Sequence, residues 1–355
     1  MKLEEMRSKL DRIDDRLVKL LSERMEVSLL TTRLKGGVLD SDREKQVLSR
    51  AKGLSTGLVR PEVSEKIFAD MMAASKQLQE QGLKLAAFQG EHGAYSESAI
   101  GMLDSGWVPI SCHEFAEVFD GVRAGNFDAG VVPVENSLEG AVTQVNDLLL
   151  ESDLTIVAEA HVPVHHCLLA LPDSDYREIK AVYSHPQALA QCRGFIDRNR
   201  LEARPYYDTA GSAMMLSEER PRAAAAIASK LCAKLYGLDI VKENIEDHQS
   251  NSTRFVALAR ERGNAKGDKC SIAFATSHRA GSLFSVLRAF NDAQINLTRI
   301  ESRPMRSEPK KYAFLLDFQG SDEDGKVQDV LGKVKKETSM YKFLGCYMEA
   351  KGAVE

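Results

Sequence analysis

Between Leu3 and Lys35 the apolar residues fall at Leu3, Met6, Leu10, Ile13, Leu17, Leu20, Val27 and Leu34, in steps of three and four or their sums. That spacing predicts one long amphipathic helix. At 1.5 Å per residue such a helix is roughly 50 Å long, so it cannot bury its own stripe and needs other helices, some from a second copy of the chain. Gly36-Gly37 ends it, and Ser41-Asp42-Arg43-Glu44 opens a second helix with Ser41 and Glu44 spaced as a capping box. Leu54-Ser55-Thr56-Gly57 breaks that helix, and Pro61 marks the start of a third amphipathic stretch running to about Gln79. The region is read as all helix.

Gly82 marks a change. Short apolar segments, clearest at 83–88, 129–134, 179–183 and 223–228, end in glycine-rich or polar loops that lead into helical patterns. Strands alternating with helices predict open α/β sheets whose ligands bind beyond the carboxyl ends of the strands, and two such sheets facing each other make a cleft. The charged stretch Arg260 to Asp268 reads as a linker. After it, strand 270–276, helix 281–293, strands 296–302 and 312–318, helix 327–336 and strand 343–347 give the βαββαβ order of a ferredoxin-like unit. The expected architecture is therefore multidomain, with boundaries at 1–81, 83–260 and 269–350, in keeping with roughly 100–200 residues per domain in a chain of 355. No internal sequence repeat is apparent.

A formal net charge of -5 supplies no global basic field for nucleic acid or an anionic membrane, so an anionic substrate must be held by local arginines. No apolar run reaches the length of a membrane span and Met1 to Glu5 has no signal-peptide pattern, which predicts a cytoplasmic protein. The six cysteines are scattered without a Cys-x-x-Cys pair, so neither a zinc site nor a disulfide framework is expected. His165-His166, just after Pro163, suit a strand better than a metal-bearing helix. No metal or cofactor is predicted.

Continuing the heptad stripe past Leu20 places Arg24 on the seam. A guanidinium there needs a partner, because desolvating an unpaired charge costs several kcal/mol. A structural pair with a carboxylate such as Asp14 is one solution. Arg7 and Lys35 lie on the same helix, however, and Asp40, Arg43 and Glu44 begin the next. In this arrangement the region resembles the all-helical chorismate mutases, whose intertwined dimer surrounds a small dianion with cationic side chains. The resemblance implies an active site of Arg7, contributed across the dimer, with Arg24, Lys35, Asp40, Arg43, Glu44, Ser75 and Gln79. Only Gly36 to Leu39 separate Lys35 from Asp40, about a helical turn less than the family pattern. The implied reaction, chorismate to prephenate, is pericyclic and needs neither nucleophile nor proton transfer. The arginines would clamp the two carboxylates, and Lys35 and Gln79, the catalytic donors, would stabilise charge on the ether oxygen.

Four loops after predicted strands carry polar residues: 89–96 with two glycines before a helix, Glu135-Asn136-Ser137, Ser184-His185-Pro186-Gln187 and Asp208-Thr209-Ala210-Gly211-Ser212. Backbone N–H groups of the first could receive a carboxylate, or the loop is a capped turn. Their order, with Asn251-Ser252-Thr253-Arg254-Phe255, resembles prephenate dehydratase from Leu83 to Arg260. The resemblance implies a two-lobed domain like the type II periplasmic binding proteins and a catalytic hydroxyl on Thr253. It also places Asn136, Ser184, Gln191, Thr209 and Phe255 around the cleft, with Arg254 available to the substrate carboxylates. His185 is a rival acid, the alternative being a ring that packs or caps locally.

Gly281-Ser282-Leu283 opens the first helix of the C-terminal unit and Glu301-Ser302-Arg303-Pro304 ends a strand. These resemble the ACT domains, which pair side by side and bind an amino acid between them. Gly281, Ser282, Leu283, Asn296, Glu301, Ser302, Arg303 and Pro304 are the implied phenylalanine site, although Gly-Ser-Leu-Phe stands where that group usually has Gly-Ala-Leu-Val. Taken together, the resemblances imply a bifunctional mutase and dehydratase of phenylalanine biosynthesis, a homodimer or higher oligomer, taking chorismate and prephenate and restrained by phenylalanine. Two alternatives stay open: a dehydratase that prefers arogenate, and a central region that binds a solute without turnover.

Overall fold

The computed structural model describes residues 3–35, 37, 40–172, 174–263, 266–277, 279–305 and 308–349. Gly36 of the helix-ending pair, Val38 and Leu39 of the short connection, Asn264 and Ala265 of the linker, and the outer ends of the expected domains at Met1, Lys2 and Ala350 lie outside the described residues. The chain divides into two compact units, Met1–Lys84 and Leu85–Glu355.

The first unit is helical: α1 (Leu3–Lys35), α2 (Ser41–Leu54) and α3 (Pro61–Glu80). Pro61 occupies the first turn of α3, where its missing N–H costs nothing. The expected capping box at Ser41 does not form. Asp40 is the cap, its carboxylate accepting from Arg43 N at 3.0 Å, while Glu44 turns to Lys76 on α3 at 2.7 Å. Within the described residues of α1 only Leu29 is buried; Leu3, Leu10, Leu17 and Leu20 are each more than half exposed, so one copy leaves the predicted stripe open.

The second unit opens with β1 (Leu85–Gln89), α4 (Tyr95–Leu103), β2 (Val108–Cys112), α5 (Phe115–Ala124), β3 (Ala129–Asn136), β4 (Gly140–Ala141), α6 (Thr143–Glu151) and β5 (Thr155–Pro163). The chain then crosses into β6 (Cys167–Ala170), β7 (Ala181–Ser184), α7 (Pro186–Gln191), α8 (Arg193–Arg198) and β8 (Glu202–Pro205). There follow α9 (Thr209–Glu219), β9 (Ala224–Ala228), α10 (Lys230–Tyr236) and β10 (Asp239–Lys242), before β11 (Ser252–Ala259) returns to the first sheet. The first sheet has the order β2-β1-β3-β11-β5, and the second β10-β6-β9-β7-β8.

Although the sequence shows no repeat, the two sheets share one plan. Each has a parallel trio, β2-β1-β3 or β8-β7-β9, followed by a strand delivered from the other lobe that runs antiparallel to it. Apolar runs buried on both faces, such as Ala86-Ala87-Phe88 and Ala224 to Ala228, suit strands covered by helices on each side. His165 and His166 lie on the crossover between β5 and β6, not on a strand as expected.

The remaining elements are β12 (Lys269–Ala275), α11 (Ser282–Asp292), β13 (Leu297–Met305), β14 (Glu308–Gln319), α12 (Gly325–Glu337) and β15 (Met340–Tyr347). They form an antiparallel sheet of order β13-β14-β12-β15, as the βαββαβ pattern predicts. Phe274, Val286, Phe290, Phe318, Val330 and Val334 make its own core. The backbone of β15 lies so close to β5 that a Cβ on Gly345, at φ +151°, would collide with the Ile156 backbone. Among the described residues no helix is long and apolar enough to cross a membrane.

Candidate active sites

In the helical unit, α1, α2 and α3 border an open cavity of about 270 Å³ lined by Arg24, Lys35, Asp40, Arg43, Glu44, Ser75 and Gln79. These are all but one of the residues predicted for this site. Arg7, assigned to a second copy, is absent from the lining and pairs with Glu4 on the exposed face of α1 at 3.0 Å. Arg24 does not pair with Asp14; its Nη1 donates to Ser75 Oγ at 2.8 Å, and Ser75 Oγ in turn donates to Met71 O. Lys35 Nζ meets Asp40 Oδ2 at 2.9 Å, and Gln79 Nε2 donates to Ser28 O at 2.6 Å. The Lys35 hydrogen bond and the Arg43 backbone N–H hold the Asp40 carboxyl below its ordinary value, so it stays ionised. The short connection therefore leaves Asp40 and Arg43 at the cavity. Sequence reasoning missed Ser28, Thr31 and Lys76 on its wall; Lys76 offered a signal, being one helical turn from Gln79 on the same face.

In the α/β unit the loop after β1 meets the segment before α9 across the lobes, Tyr207 Oη donating to Glu91 Oε1 at 2.9 Å. Thr253 on β11 lies in register with Asn136 on β3, and Asn136 Nδ2 donates to Thr253 Oγ1 at 2.9 Å. Asn136 is itself held by the Leu138 and Glu139 N–H groups, which donate to its Oδ1 at 3.0 and 3.1 Å. Because the amide supplies a hydrogen bond to Thr253, the threonine's own hydrogen is left to donate elsewhere. Beside them Asn251, only 1% exposed, accepts from Asn136 Nδ2 at 2.8 Å, and its own Nδ2 finds no partner among the described residues. Leaving such a donor unmet costs about 1–3 kcal/mol, which a bound oxygen would recover. Asn251 was in view as the start of the Asn-Ser-Thr-Arg-Phe segment; its role depends on a neighbour 115 residues away.

Gln191, at the end of α7, joins the lobes: its Nε2 donates to Glu139 Oε1 at 2.9 Å and its Oε1 lies 2.8 Å from His166 Nε2. His166 also contacts the Tyr95 hydroxyl at 3.1 Å. Burial pulls the His166 pKa below its ordinary 6.5, outweighing Gln191 and Glu246. The folded protein thus favours the neutral ring, and that contribution to stability is present in full above pH 6.5 and lost as the pH falls toward the folded-state value. Between pH 7.5 and 5, the drop in the urea midpoint should be smaller for His166→Asn than for the wild type. Thr209 begins α9 behind the cap Asp208, whose carboxyl burial shifts upward.

Several predicted cleft residues are placed differently. Ser184 is fully buried and donates to Ile227 O at 2.6 Å, fixing β7 to β9. Phe255, 2% exposed, belongs to the core with Phe88 and Ile100 beneath the cleft. His185 caps α7, its Nδ1 accepting from Gln187 N, which is the local alternative. Of the first loop's glycines, Gly90 N donates to Cys112 O and Gly93 N to Glu97 Oε2, so neither is available to a carboxylate. Gly93, at φ +95°, instead lets the lobes approach, since a Cβ there would lie 2.5 Å from Cys232 Sγ. Gly93→Ala should destabilise the unit by about 1–3 kcal/mol, read as a lower urea midpoint.

Arg254 is the largest departure. It is not available to a substrate carboxylate, being 3% exposed and engaged by Glu159, Asp317, Glu135 and Tyr347.

At the C-terminal sheet a pocket of about 420 Å³ is lined by Thr276, Ser277, Arg279, Gly281, Ser282, Leu283, Phe284, Tyr312 and Phe314, with Ala280 between them. Gly281, Ser282 and Leu283 are therefore brought together as predicted. Asn296, Glu301, Ser302, Arg303 and Pro304 are not in this lining. Asn296 is exposed and bonds Gln319, and Arg303 is paired with Asp147 on α6 at 2.8 Å. In one copy the pocket is thus walled by the Gly-Ser-Leu turn and three aromatic rings, Phe284, Tyr312 and Phe314, without the β13 residues.

Comparison with known proteins bears on both units. Residues 6–80 match the chorismate mutase type II family and residues 86–263 the prephenate dehydratase family. Over 98% of its length the chain is 35% identical to 98% of a bifunctional chorismate mutase/prephenate dehydratase of Pseudomonas aeruginosa. Over 74% of its length it is 43% identical to arogenate dehydratase 1 of Petunia hybrida, spanning 66% of that protein. Among solved structures it is similar to a prephenate dehydratase of Arthrobacter aurescens in complex with L-Phe, with 33% identity and a TM-score of 0.70 over 76% of this chain and 92% of that one. The same identity and TM-score hold against GqqA, described as a novel type of quorum quenching acylase, over 76% of this chain and 98% of that one. With a mutase segment, a dehydratase segment and a bifunctional relative aligned end to end, the chain belongs to the bifunctional chorismate mutase/prephenate dehydratases.

Proposed function

We propose that the protein rearranges chorismate to prephenate in the helical unit and then dehydrates and decarboxylates prephenate to phenylpyruvate in the α/β unit, under feedback by phenylalanine. The observation that carries the reading is the convergence of Arg24, Lys35, Asp40, Arg43, Glu44, Ser75 and Gln79 on one cavity, residue types suited to a small dianion. Arg24 and Arg43 clamp the two carboxylates, with Arg7 entering from a second copy; Lys35 and Gln79 exchange their present partners for the ether oxygen. The open apolar stripe of α1 supports an intertwined helical dimer, since surface of that kind is seldom left to water.

In the dehydratase the ring hydroxyl and CO₂ leave together and the ring becomes aromatic. Thr253, oriented by Asn136, donates to the departing hydroxyl. With Thr209 at an adjacent helix start and Gln191 linking the lobes, the cleft can close on the substrate and exclude water.

The working division is 1–81 mutase, 83–260 dehydratase and 269–350 a ferredoxin-like ACT unit that senses phenylalanine. The pocket at Gly281 to Leu283 supports the last assignment, as does the L-Phe in the Arthrobacter aurescens complex. Inhibition requires phenylalanine to bind unequally to two states, and β14 is a physical link: it carries Tyr312 and Phe314 at the pocket and Asp317 against Arg254.

A second reading, favoured by the 43% identity to a Petunia arogenate dehydratase, is that the α/β unit prefers arogenate. The deciding experiment supplies chorismate alone and follows prephenate and phenylpyruvate with and without phenylalanine. Phenylpyruvate forming after prephenate, and suppressed by phenylalanine, is expected. Prephenate accumulating unchanged would overturn the dehydratase assignment, and turnover of added arogenate in that case would install the second reading.

A further inference from the structure

We infer that Arg254 is a positioning residue of the dehydratase, through which the C-terminal sheet holds Thr253 and Asn136 in place, and that it does not touch substrate. The inference rests on the dehydratase reading above. Arg254 follows Thr253 in the chain, and its guanidinium is held from two sheets. Its Nε donates to Glu159 Oε2 on β5 at 2.7 Å and its Nη1 to Glu135 Oε1 on β3 at 3.2 Å. From the C-terminal sheet, Asp317 Oδ2 on β14 accepts from Nη1 at 2.6 Å and the Tyr347 hydroxyl on β15 from Nη2 at 2.9 Å. A planar fork bound in this many directions cannot shift without breaking several charge-assisted bonds at once.

The register carries that rigidity to the cleft. Thr253 faces Asn136 across β11 and β3, and Arg254 faces Glu135 beside them, so each cleft residue adjoins a clamped one. The ladder shifts register immediately after Arg254, the kind of bulge that re-aims side chains next to a site. Glu135 is held from its other side by Arg299 of β13 at 3.3 Å, and Arg299 also donates to Asn146 Oδ1 at 2.7 Å. Lys269 of β12 meets Glu159 at 3.0 Å.

Every cation of this cluster is matched. Arg254, Arg299 and Lys269 face Glu135, Glu159, Asp317 and, 3.6 Å from Lys269, Glu349. Burial by itself would raise the Asp317 carboxyl, yet Arg254 and Arg299 hold it below its ordinary value, so the anion is in place at neutral pH. No cationic surplus remains for a substrate carboxylate, and admitting one would mean desolvating an unmatched charge. The geometry therefore separates the two halves of the Thr-Arg pair: the hydroxyl faces chemistry and the guanidinium faces scaffold.

The test uses the full-length enzyme with Asp317→Asn and, as a milder change that removes one hydroxyl from a folded protein, Tyr347→Phe. Dehydratase kcat and KM are measured with prephenate, mutase activity with chorismate, and thermal melting reports folding. Asp317→Asn should lower dehydratase kcat at least tenfold and Tyr347→Phe about threefold, with KM within twofold and mutase activity unchanged. Combined with Asn136→Ala, Asp317→Asn should cost less than its own factor, because one geometry cannot be lost twice. An unchanged kcat in both folded variants, or a raised KM at constant kcat, would overturn the inference alone, the latter returning Arg254 to the substrate. A wild-type enzyme that turns over neither prephenate nor arogenate would sink the dehydratase reading and the inference with it.

Discussion

Thr253→Ala is expected to lower the conversion of prephenate to phenylpyruvate by about two to three orders of magnitude in kcat, the loss typical of removing one preorganised donor from developing charge. Chorismate should still be rearranged at the wild-type rate, so prephenate would accumulate. Thr253 Oγ1 is pinned at 2.9 Å by Asn136 Nδ2, which leaves its hydrogen as the donor aimed away from the amide. An aliphatic hydroxyl barely ionises, so its value lies in orientation and not in acidity. Thr253→Ser, which keeps the hydroxyl but frees its rotation, should recover a substantial part of the rate. If alanine and serine variants are equally active, the hydroxyl is not the donor. Rapid quench with isolated prephenate separates the two chemical steps cleanly.

Gln79→Ala is expected to reduce chorismate rearrangement by about 10²–10³-fold while leaving the dehydratase untouched. The pericyclic step offers the enzyme only conformation and electrostatics, so a donor to the ether oxygen acts wholly in the transition state and should appear in kcat. Gln79 Nε2 now donates to Ser28 O at 2.6 Å, a carbonyl on the cavity wall, and a bound ether oxygen would compete for the same group. Gln79→Glu supplies a sharper check. A carboxyl donates only when protonated, so this variant should be nearly inactive at pH 8 and partly restored as the pH falls below about 5. A profile as flat as that of the wild type would remove Gln79 from the reaction. Lys35→Ala should lose mutase activity too, with Asp40 left without its partner at 2.9 Å.

The two active sites differ in how far they could be read from the chain. The lining of the helical cavity was legible because it lies on helices: once the three- and four-residue spacing of α1 is seen, the faces of Arg24 and Lys35 follow, and Asp40 and Arg43 stand only a few residues further on at the start of α2. Even the cap moved by only one residue, from Ser41 to Asp40. The dehydratase cleft is assembled from strand ends far apart in sequence, and there neighbours along the chain proved poor guides. Thr253, Arg254 and Phe255 are consecutive, yet one meets Asn136, the next a buried ionic cluster and the third the core. Likewise Arg303, beside the Glu-Ser motif, turns to Asp147 and away from the Gly281 pocket.

What the sequence determined by itself was the order of elements, the helical and α/β character of the two units, and the residue types that each chemistry needs, because these depend on periodicity and local backbone preference. Only the tertiary structure decided which polar groups are free to act. Whether an arginine meets substrate or scaffold depends on which carboxylates the fold buries beside it. For Arg254 those are Glu135, Glu159 and Asp317, brought from three other strands by pairing and packing that no local pattern records.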